Sequence, residues 1–456
     1  MIFMELPLQG KIKEFVRNLN KPVYVVGGYV RNYLISGVES ADIDLCAPIK
    51  AEEMKSLVQD FGFEIRATYG RTGTVLFSDG ERTFEYTCFR KDSYFGFGNH
   101  TPDAVIYTDS IEEDSKRRDF KCNALYYDLL NDKLIDVVGG LKDIENRTLS
   151  TVRSAEETFH EDGLRLLRLA RFAGQLGFTP DELTLKGALN NADAIKPISV
   201  ERIFAELKMI LVADKKYSFS SPQGHYVGLK ILDDTRVLDR IIPELTLGRG
   251  MKQRADFHIH DVLEHSLRCV LYADPSVRLH ALLHDIGKPY CMINFGKYHG
   301  HDSVGEPIAR QVLNRLKADK KTTDEVCRLV ALHMFDMNGQ VREIKLRRKI
   351  IENADIFEKI LLIKQADYSA SSEREDTPPT ITRWKNLYNQ MLKDGTPFSL
   401  SQLKITSAEL IEIGFSGKQI GDELSTLFGE AIANPKNNNN KTLSKMAVAH
   451  FENLRG

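Results

Sequence analysis

Val23-Tyr24-Val25-Val26-Gly27-Gly28-Tyr29-Val30-Arg31, followed shortly by Asp42-Ile43-Asp44, decides how this chain is read. The apolar run 23–26 predicts a strand that ends at the glycine pair, and residues 30–35 predict the helix that follows. Backbone N–H groups at the start of such a helix face an anion. Asp42 and Asp44 flank Ile43 with period two, so on a strand both carboxylates emerge on one face, close enough to share Mg²⁺. Like charges that near need a cation between them. Either element alone would more often be a glycine turn or a solvated Asp-x-Asp. Their succession in one supersecondary unit points to nucleotidyl transfer.

That chemistry is usually run by a metal pair held by three carboxylates, which activates a 3′-hydroxyl and neutralises the leaving pyrophosphate. The third is expected from a neighbouring strand. Glu85 is the candidate, because it stands among alternating apolar residues where a charge is otherwise costly; the alternative is an edge-strand carboxylate paired with Arg90 or another surface base. A triphosphate also needs cations beyond Arg31, and Lys116-Arg117-Arg118 supplies a cluster beside Asp119 and Asn123.

Composition bounds the rest. With 456 residues the chain is too long for one core, and its 62 basic against 64 acidic side chains give a net charge of −2. A nucleic-acid partner would be held by local basic patches. Six cysteines without a C-x-x-C pair argue against a zinc knuckle or a disulfide framework and fit a reducing, cytoplasmic setting. No signal segment and no run long enough to span a bilayer is legible, so neither export nor a membrane is expected.

Short β-branched segments alternate with turn signals up to about residue 150; from Glu156 helical periodicity dominates. The expected fold class is α+β: a small mixed sheet with helices as the head, then a mostly α-helical body. The expected domains are a head at 1–150, a neck at 151–248, a third domain at 251–370 and a helical tail at 371–456. The asparagine run 437–440 is expected to be a flexible connection before the last helix.

Four motifs in register resemble those of the class II tRNA nucleotidyltransferase and poly(A) polymerase family: Gly27-Gly28-Tyr29-Val30-Arg31-Asn32, Asp42-Ile43-Asp44-Leu45, Arg117-Arg118-Asp119-Phe120-Lys121-Cys122-Asn123 and Glu161-Asp162-Gly163-Leu164-Arg165. The resemblance implies a polymerase-β-like head that extends an RNA 3′ end without a nucleic-acid template. It implies Gly28, Arg31 and Arg118 as nucleotide contacts and Asp42 and Asp44 as Mg²⁺ ligands; Gly27 and Asn123 lie in the same motifs and are included in the expected nucleotide site. Asn32 stands where the family usually has Asp, with altered affinity expected, and Asn32 could still cap or orient the glycine turn. Lys121-Cys122 replaces a more typical Thr-plus-aliphatic pair.

Asp162, Arg165, Arg168 and Arg171 fall at spacings of three, as a charged stripe on a predicted helix whose other side is Leu166, Leu167, Ala170 and Ala173. An Asp acceptor with an Arg donor suits the Watson–Crick edges of cytosine and adenine, which both show an amino group beside a ring-nitrogen acceptor. The resemblance assigns that role to Asp162 and Arg165, with Arg168 and Arg171 in the nucleotide site. Residues 92–98, rich in glycine and aromatics, are expected to form a mobile loop; in the resembling family enzymes that add only CC tend to lack part of it, so the resemblance implies full CCA addition.

His265, His284-Asp285, His301, His333 and Asp367 form a second constellation on predicted helices. Imidazoles with carboxylates suit Mn, Ni, Fe or Zn more than Ca²⁺, and Mg²⁺ is a further possibility. The pattern resembles the HD phosphohydrolase superfamily, which implies His265, His284, Asp285 and Asp367 as metal ligands and His301 and His333 as phosphate contacts or ligands of a further metal. The tail, from Leu403, resembles the C-terminal region of the same nucleotidyltransferases, implying a grip on tRNA. The expected partners are a tRNA 3′ end, CTP and ATP, with no DNA. The rival readings are a partial CC-adding or A-adding enzyme, a poly(A) polymerase, and an HD phosphohydrolase whose N-terminal half binds RNA.

Overall fold

The structure, a computed structural model, describes residues 2–3, 6–39, 42–70, 73–254, 256 and 258–455. The chain forms two compact units, Met1–Leu247 with Val312–Ala318, and Gly248–Gln311 with Asp319–Gly456. No helix among the described residues is long and apolar enough to cross a membrane.

The head of the first unit is built on strands β1 (Ile2–Phe3), β2 (Tyr24–Val26), β3 (Asp42–Ala47), β4 (Glu64–Tyr69), β5 (Thr74–Ser78), β6 (Thr83–Cys88), β7 (Arg90–Ser93), β8 (Ala104–Tyr107), β9 (Leu125–Asp128) and β10 (Lys133–Asp136). Eight of them form a mixed sheet in the order β1-β10-β9-β2-β3-β6-β5-β4, and β7 and β8 form a separate antiparallel ladder. Within the large sheet β3 and β6 run parallel, while the remaining neighbours are antiparallel. A parallel pair needs a crossover, here begun by the helix Ala51–Asp60.

Period-two alternation sorts the residues of β3 and β6. Ile43, Leu45, Phe84 and Tyr86 face the main core with Val25, Phe63 and Phe77, while Asp42, Asp44, Thr83 and Glu85 are exposed on the other face. Each fully buried aromatic or aliphatic side chain stabilises by roughly 1.5–3 kcal/mol, so a register slip that put the carboxylates inside would forfeit the core. Past the carboxylates the second face closes over a small cluster of Tyr24, Val26, Cys46, Phe89 and Tyr126.

The neck is helical, with Leu164–Leu176 packed on Val200–Leu211 and Gly224–Asp234. In the second unit Val262–Tyr272, Arg278–Leu283, Lys320–Leu332 and Phe357–Ser372 pack together. Further on, Thr406 and Glu409 make a capping box ahead of Ser407–Ile413. The asparagine run is not a loose connection. Pro435–Asn437 is a 3₁₀ turn and Asn440 opens the last helix, with Asn438 Oδ1 accepting from Lys404 N–H at 3.0 Å and Asn440 Nδ2 donating to Lys404 O at 3.1 Å. Short polar side chains satisfying nearby backbone groups order the turn.

Candidate active site and candidate metal centre

Strand β2 ends at Gly27, which caps the helix Gly28–Ser36 with φ 77° and ψ −136°, a conformation open essentially to glycine alone. A Cβ there would lie 2.9 Å from Asp44 Oδ2. The glycine therefore serves the turn and leaves room for the carboxylate. Asp44 is the register partner of Glu85 and Asp42 of Thr83, so the three acids share one face. Although Asp44 opens onto a cleft, desolvation by the surrounding walls pushes its carboxyl up, Arg118 opposes this and Asp42 adds to the rise. Glu85 is raised by desolvation and then by Asp44 and Asp42. Asp42 thus adds to the rise of both Asp44 and Glu85, and Asp44 to that of Glu85, so the three acids are a donor set fitted to a divalent cation. Arg90 does not neutralise Glu85: its Nε is 2.9 Å from Asp92, and β6 is interior to the sheet.

The cleft has a volume of about 730 Å³ and is bordered by Gly27, Gly28, Arg31, the three acids, Arg118, Asn123, Asp162 and the neck arginines Arg165, Arg168 and Arg171, but not by Lys116. Arg31 is buried, its Nε and Nη2 donating to Asn32 Oδ1 at 3.0 and 2.8 Å and its Nη2 to Tyr217 Oη at 3.3 Å; Nη1 donates to Asn123 Oδ1. Asn32 thus orients the arginine; its side-chain bonds go to Arg31 and not to the glycine turn. Arg118 donates to Tyr126 Oη at 2.9 Å and to Asp114 at 3.0 Å. Burial alone would raise the Asp114 carboxyl, but Arg118 and Arg117 bring it down to about 2.

Asp162 is not on the arginine helix. It terminates Ala155–Glu161 in extended backbone, and Gly163 caps the next helix, Leu164–Leu176. The stripe is not a solvated face either: Arg165 and Arg171 are buried. Arg165 Nη1 and Nη2 donate to Thr158 O at 3.2 Å and Arg117 O at 2.6 Å, Arg168 pairs with Asp119 at 2.6 Å and Arg171 with Glu206 at 2.6 Å. Burial would lift Asp119, yet Arg168 and the Asn123 amide hold it well below the usual carboxylate range. These pairs fix arginine geometry before any ligand arrives.

Residues 92–98 are not a simple loop: Asp92 and Ser93 belong to the β7–β8 ladder, whose tip docks on the neck through Gly98. Sequence reasoning missed His100 and Tyr217, which both border the cleft. His100 Nδ1 lies 3.0 Å from Asp162 Oδ2, and Tyr217 stacks on Phe219 with centroids 4.9 Å apart. Neither belongs to a spaced motif, so a signal existed only in the aromatic and glycine richness around residue 97.

In the second unit two buried triads form, His265–His284–Asp367 and Asp285–His301–His333, the ligand atoms of each within 4.8 Å of one another. Asp285 joins them. Its Oδ2 is 3.1 Å from His284 Nε2 and 3.3 Å from His265 Nε2; its Oδ1 is 3.1 Å from His301 Nε2 and 3.5 Å from His333 Nε2. Nδ1 of His284, His301 and His333 faces the carbonyls of Ala281, Tyr298 and Val330 at 2.7, 2.9 and 2.6 Å. A carbonyl only accepts, so each Nδ1 carries a proton and, in the neutral ring, each Nε2 presents a lone pair. This is how metal-ligating imidazoles are held.

Residues 23–150 match the poly A polymerase head domain, residues 177–247 the "Probable RNA and SrmB- binding site of polymerase A", and residues 262–360 the HD domain. The chain therefore carries a head domain of the poly A polymerase type, a helical neck and an HD domain. It is similar to curated CCA-adding enzymes: 37% identical over 270 residues to that of Lactiplantibacillus plantarum, covering 58% of this chain and 62% of that one. Against the Streptococcus gordonii enzyme it is 39% identical over 212 residues, covering 46% and 49%. The chain spans about half to three fifths of the length of these curated relatives. The fold is shared with the Bacillus stearothermophilus CCA-adding enzyme in complex with CTP, at TM-score 0.66, 21% identity and 97% of both chains. It is shared also with the Thermotoga maritima CCA-adding enzyme complexed with tRNA, at TM-score 0.60, 17% identity, and 97% of this chain and 94% of that one.

Proposed function

We propose that this chain adds CCA to tRNA 3′ ends from CTP and ATP, releasing pyrophosphate. The observation that carries the reading is a single cleft with Asp42, Asp44 and Glu85 on one face of the sheet and Asp162 with Arg165 among its other lining residues. Asp42, Asp44 and Glu85 would hold Mg²⁺, which when bound lowers the pKa of the attacking hydroxyl and neutralises charge on the transferring phosphate. Arg31, Arg118, Arg168 and Arg171 bind the triphosphate, and Gly27 and Gly28 let it approach the helix start. Asp162 accepts from the amino group of cytosine or adenine and Arg165 donates to the adjacent acceptor; guanine and uracil present the opposite order. The head (1–150) carries the chemistry, the neck (151–248) the base reading, and the tail (371–456) holds tRNA.

A second reading is favoured by Asp285, which bridges two triads: residues 251–370 form a divalent-metal phosphohydrolase. His265, His284 and Asp367 would hold one ion and His301 with His333 the other, and the pair would activate water against a phosphoester. Mn, Ni, Fe, Zn and Mg²⁺ are the candidate metals.

Incubating the protein with Mg²⁺, tRNA lacking its 3′ end and each labelled nucleotide in turn tests the first reading. Incorporation of C and A, lost in Asp42→Asn and Asp44→Asn, is expected. Hydrolysis that persists in both variants with no incorporation by the parent chain would leave only the HD reading. C alone, A alone or a long A tract would assign a partial enzyme or a poly(A) polymerase.

A further inference from the structure

This inference rests on the reading of Asp162 as the acceptor for the base amino group. Asp162 sits at φ −139° and ψ 100° between two helices, in extended backbone. Its two oxygens are held separately. Leu164 N–H donates to Oδ1 at 2.9 Å, and His100 Nδ1 lies 3.0 Å from Oδ2. Burial alone would raise this carboxyl, but the His100 hydrogen bond and the Arg165 charge hold it below the usual range. An ionised carboxylate only accepts, so Nδ1 is the nitrogen that carries the proton.

His100 is delivered by the β7–β8 hairpin, and the delivery is fixed by backbone. Gly98 N–H donates to His160 O at 2.6 Å and Gly98 O accepts from Gly163 N–H at 3.3 Å, two bonds that bracket Asp162. The Phe97 ring meets His160 edge-on at 5.0 Å. Gly98 has φ 69°, and a Cβ there would fall 2.1 Å from Ala194 O, so the approach demands glycine. His100 itself remains partly exposed, with 34% of its side chain accessible, and borders the cleft.

We propose that His100 is a positioning residue for base selection: its Nδ1–H fixes the rotation of the Asp162 carboxylate so that Oδ2 keeps a lone pair for the base amino group. Arg165 Nε stands 3.7 Å from the same oxygen, beyond hydrogen-bond range. Without the imidazole the carboxylate rotates toward that guanidinium, closes the ion pair and withdraws the acceptor. Held open, it also faces the carbonyl that uracil carries where cytosine carries an amino group, an acceptor against an acceptor. Selection therefore depends on repulsion of the wrong base as well as attraction of the right one.

The test is single-nucleotide addition to an RNA acceptor by the full chain with CTP or UTP, for the parent, His100→Ala, His100→Leu and His100→Asn. The asparagine amide nitrogen lies near the position of Nδ1 and restores the donor; leucine fills space without one. Loss of one hydrogen bond to a charged group is expected to raise KM for CTP about tenfold with kcat little changed, and to lower the preference for CTP over UTP about tenfold, in the alanine and leucine variants. Recovery of both in His100→Asn is the expected result. Unchanged discrimination in His100→Ala, or an asparagine variant as defective as leucine, would overturn the proposal. Equilibrium titration of the same variants with CTP and UTP runs in parallel: if the parent extends no RNA, the proposed function fails, while the CTP-to-UTP binding ratio still decides the role of His100.

Discussion

Asp44 on β3 is the register partner of Glu85 on β6, across the parallel pairing within the head sheet. A parallel register keeps partner side chains on one face, so the second and third carboxylates stand side by side with Asp42 one pleat along. Desolvation raises Asp44 and Glu85 most, Asp42 adds to both, and Asp44 adds to Glu85. Neutralising any one should weaken the cation site. Glu85→Gln and Asp44→Asn are expected to lower kcat for nucleotide addition by roughly 10²–10³-fold, the equivalent of several kcal/mol of charge stabilisation. Thermal unfolding without metal should be unchanged or slightly improved, because a like charge is removed. Comparing single-turnover rates with melting temperatures checks both halves.

Asn32 accepts twice from Arg31. In Asn32→Ala the buried guanidinium loses that acceptor, and KM for both nucleotides is expected to rise about tenfold, as for one or two lost hydrogen bonds to a charged group. Asn32→Asp keeps the acceptor and turns the charge-assisted bond into an ion pair, so its KM should stay within a few-fold of the parent's. Steady-state kinetics of the two variants separate an orienting role from a purely electrostatic one.

Asp114 is fully buried against Arg117 and Arg118, and its carboxyl is lowered to about 2 from an ordinary value of 3.8. A depressed folded-state pKa stabilises above the unfolded value and is lost as pH falls through the folded one. The contribution is therefore full at neutral pH and fades between about pH 4 and pH 2; at 1.36 kcal/mol per pKa unit it amounts to about 2 kcal/mol. Denaturant unfolding of Asp114→Asn is expected to show that deficit at pH 7 and a shrinking one toward pH 3.

Because Asp285 spans both triads, its loss should reach both ions, whereas His301 serves one. Metal analysis of protein loaded with Mn²⁺ is expected to give about two ions per chain in the parent, about one in His301→Ala and well under one in Asp285→Asn. Hydrolysis of a simple phosphodiester should fall with Asp285→Asn while nucleotide addition continues.

The head was legible because strand alternation and motif order are local: Asp42, Asp44 and Glu85 are found by period-two spacing, and the sheet supplies only the register. The arginine helix was legible in its spacing but not in its partners. Asp119 and Glu206, which hold Arg168 and Arg171, are distant in sequence, and burial of a charged stripe follows from where its counter-charges fold. Asp162 ends one helix and Gly163 caps the next, which is why an unbroken three-residue spacing misplaced Asp162. His100 was invisible for the same reason as the asparagine run: its meaning lies in a contact with Asp162 that only the docked hairpin creates.

The most direct measurement extends tRNA transcripts ending before the first C, after both C residues and after the final A, with CTP and ATP together, and sequences every product tail. Growth to C, C, A on the first, A alone on the second and nothing on the third is expected. A tail of many A residues, growth on the completed transcript, or no growth on any of them would contradict it.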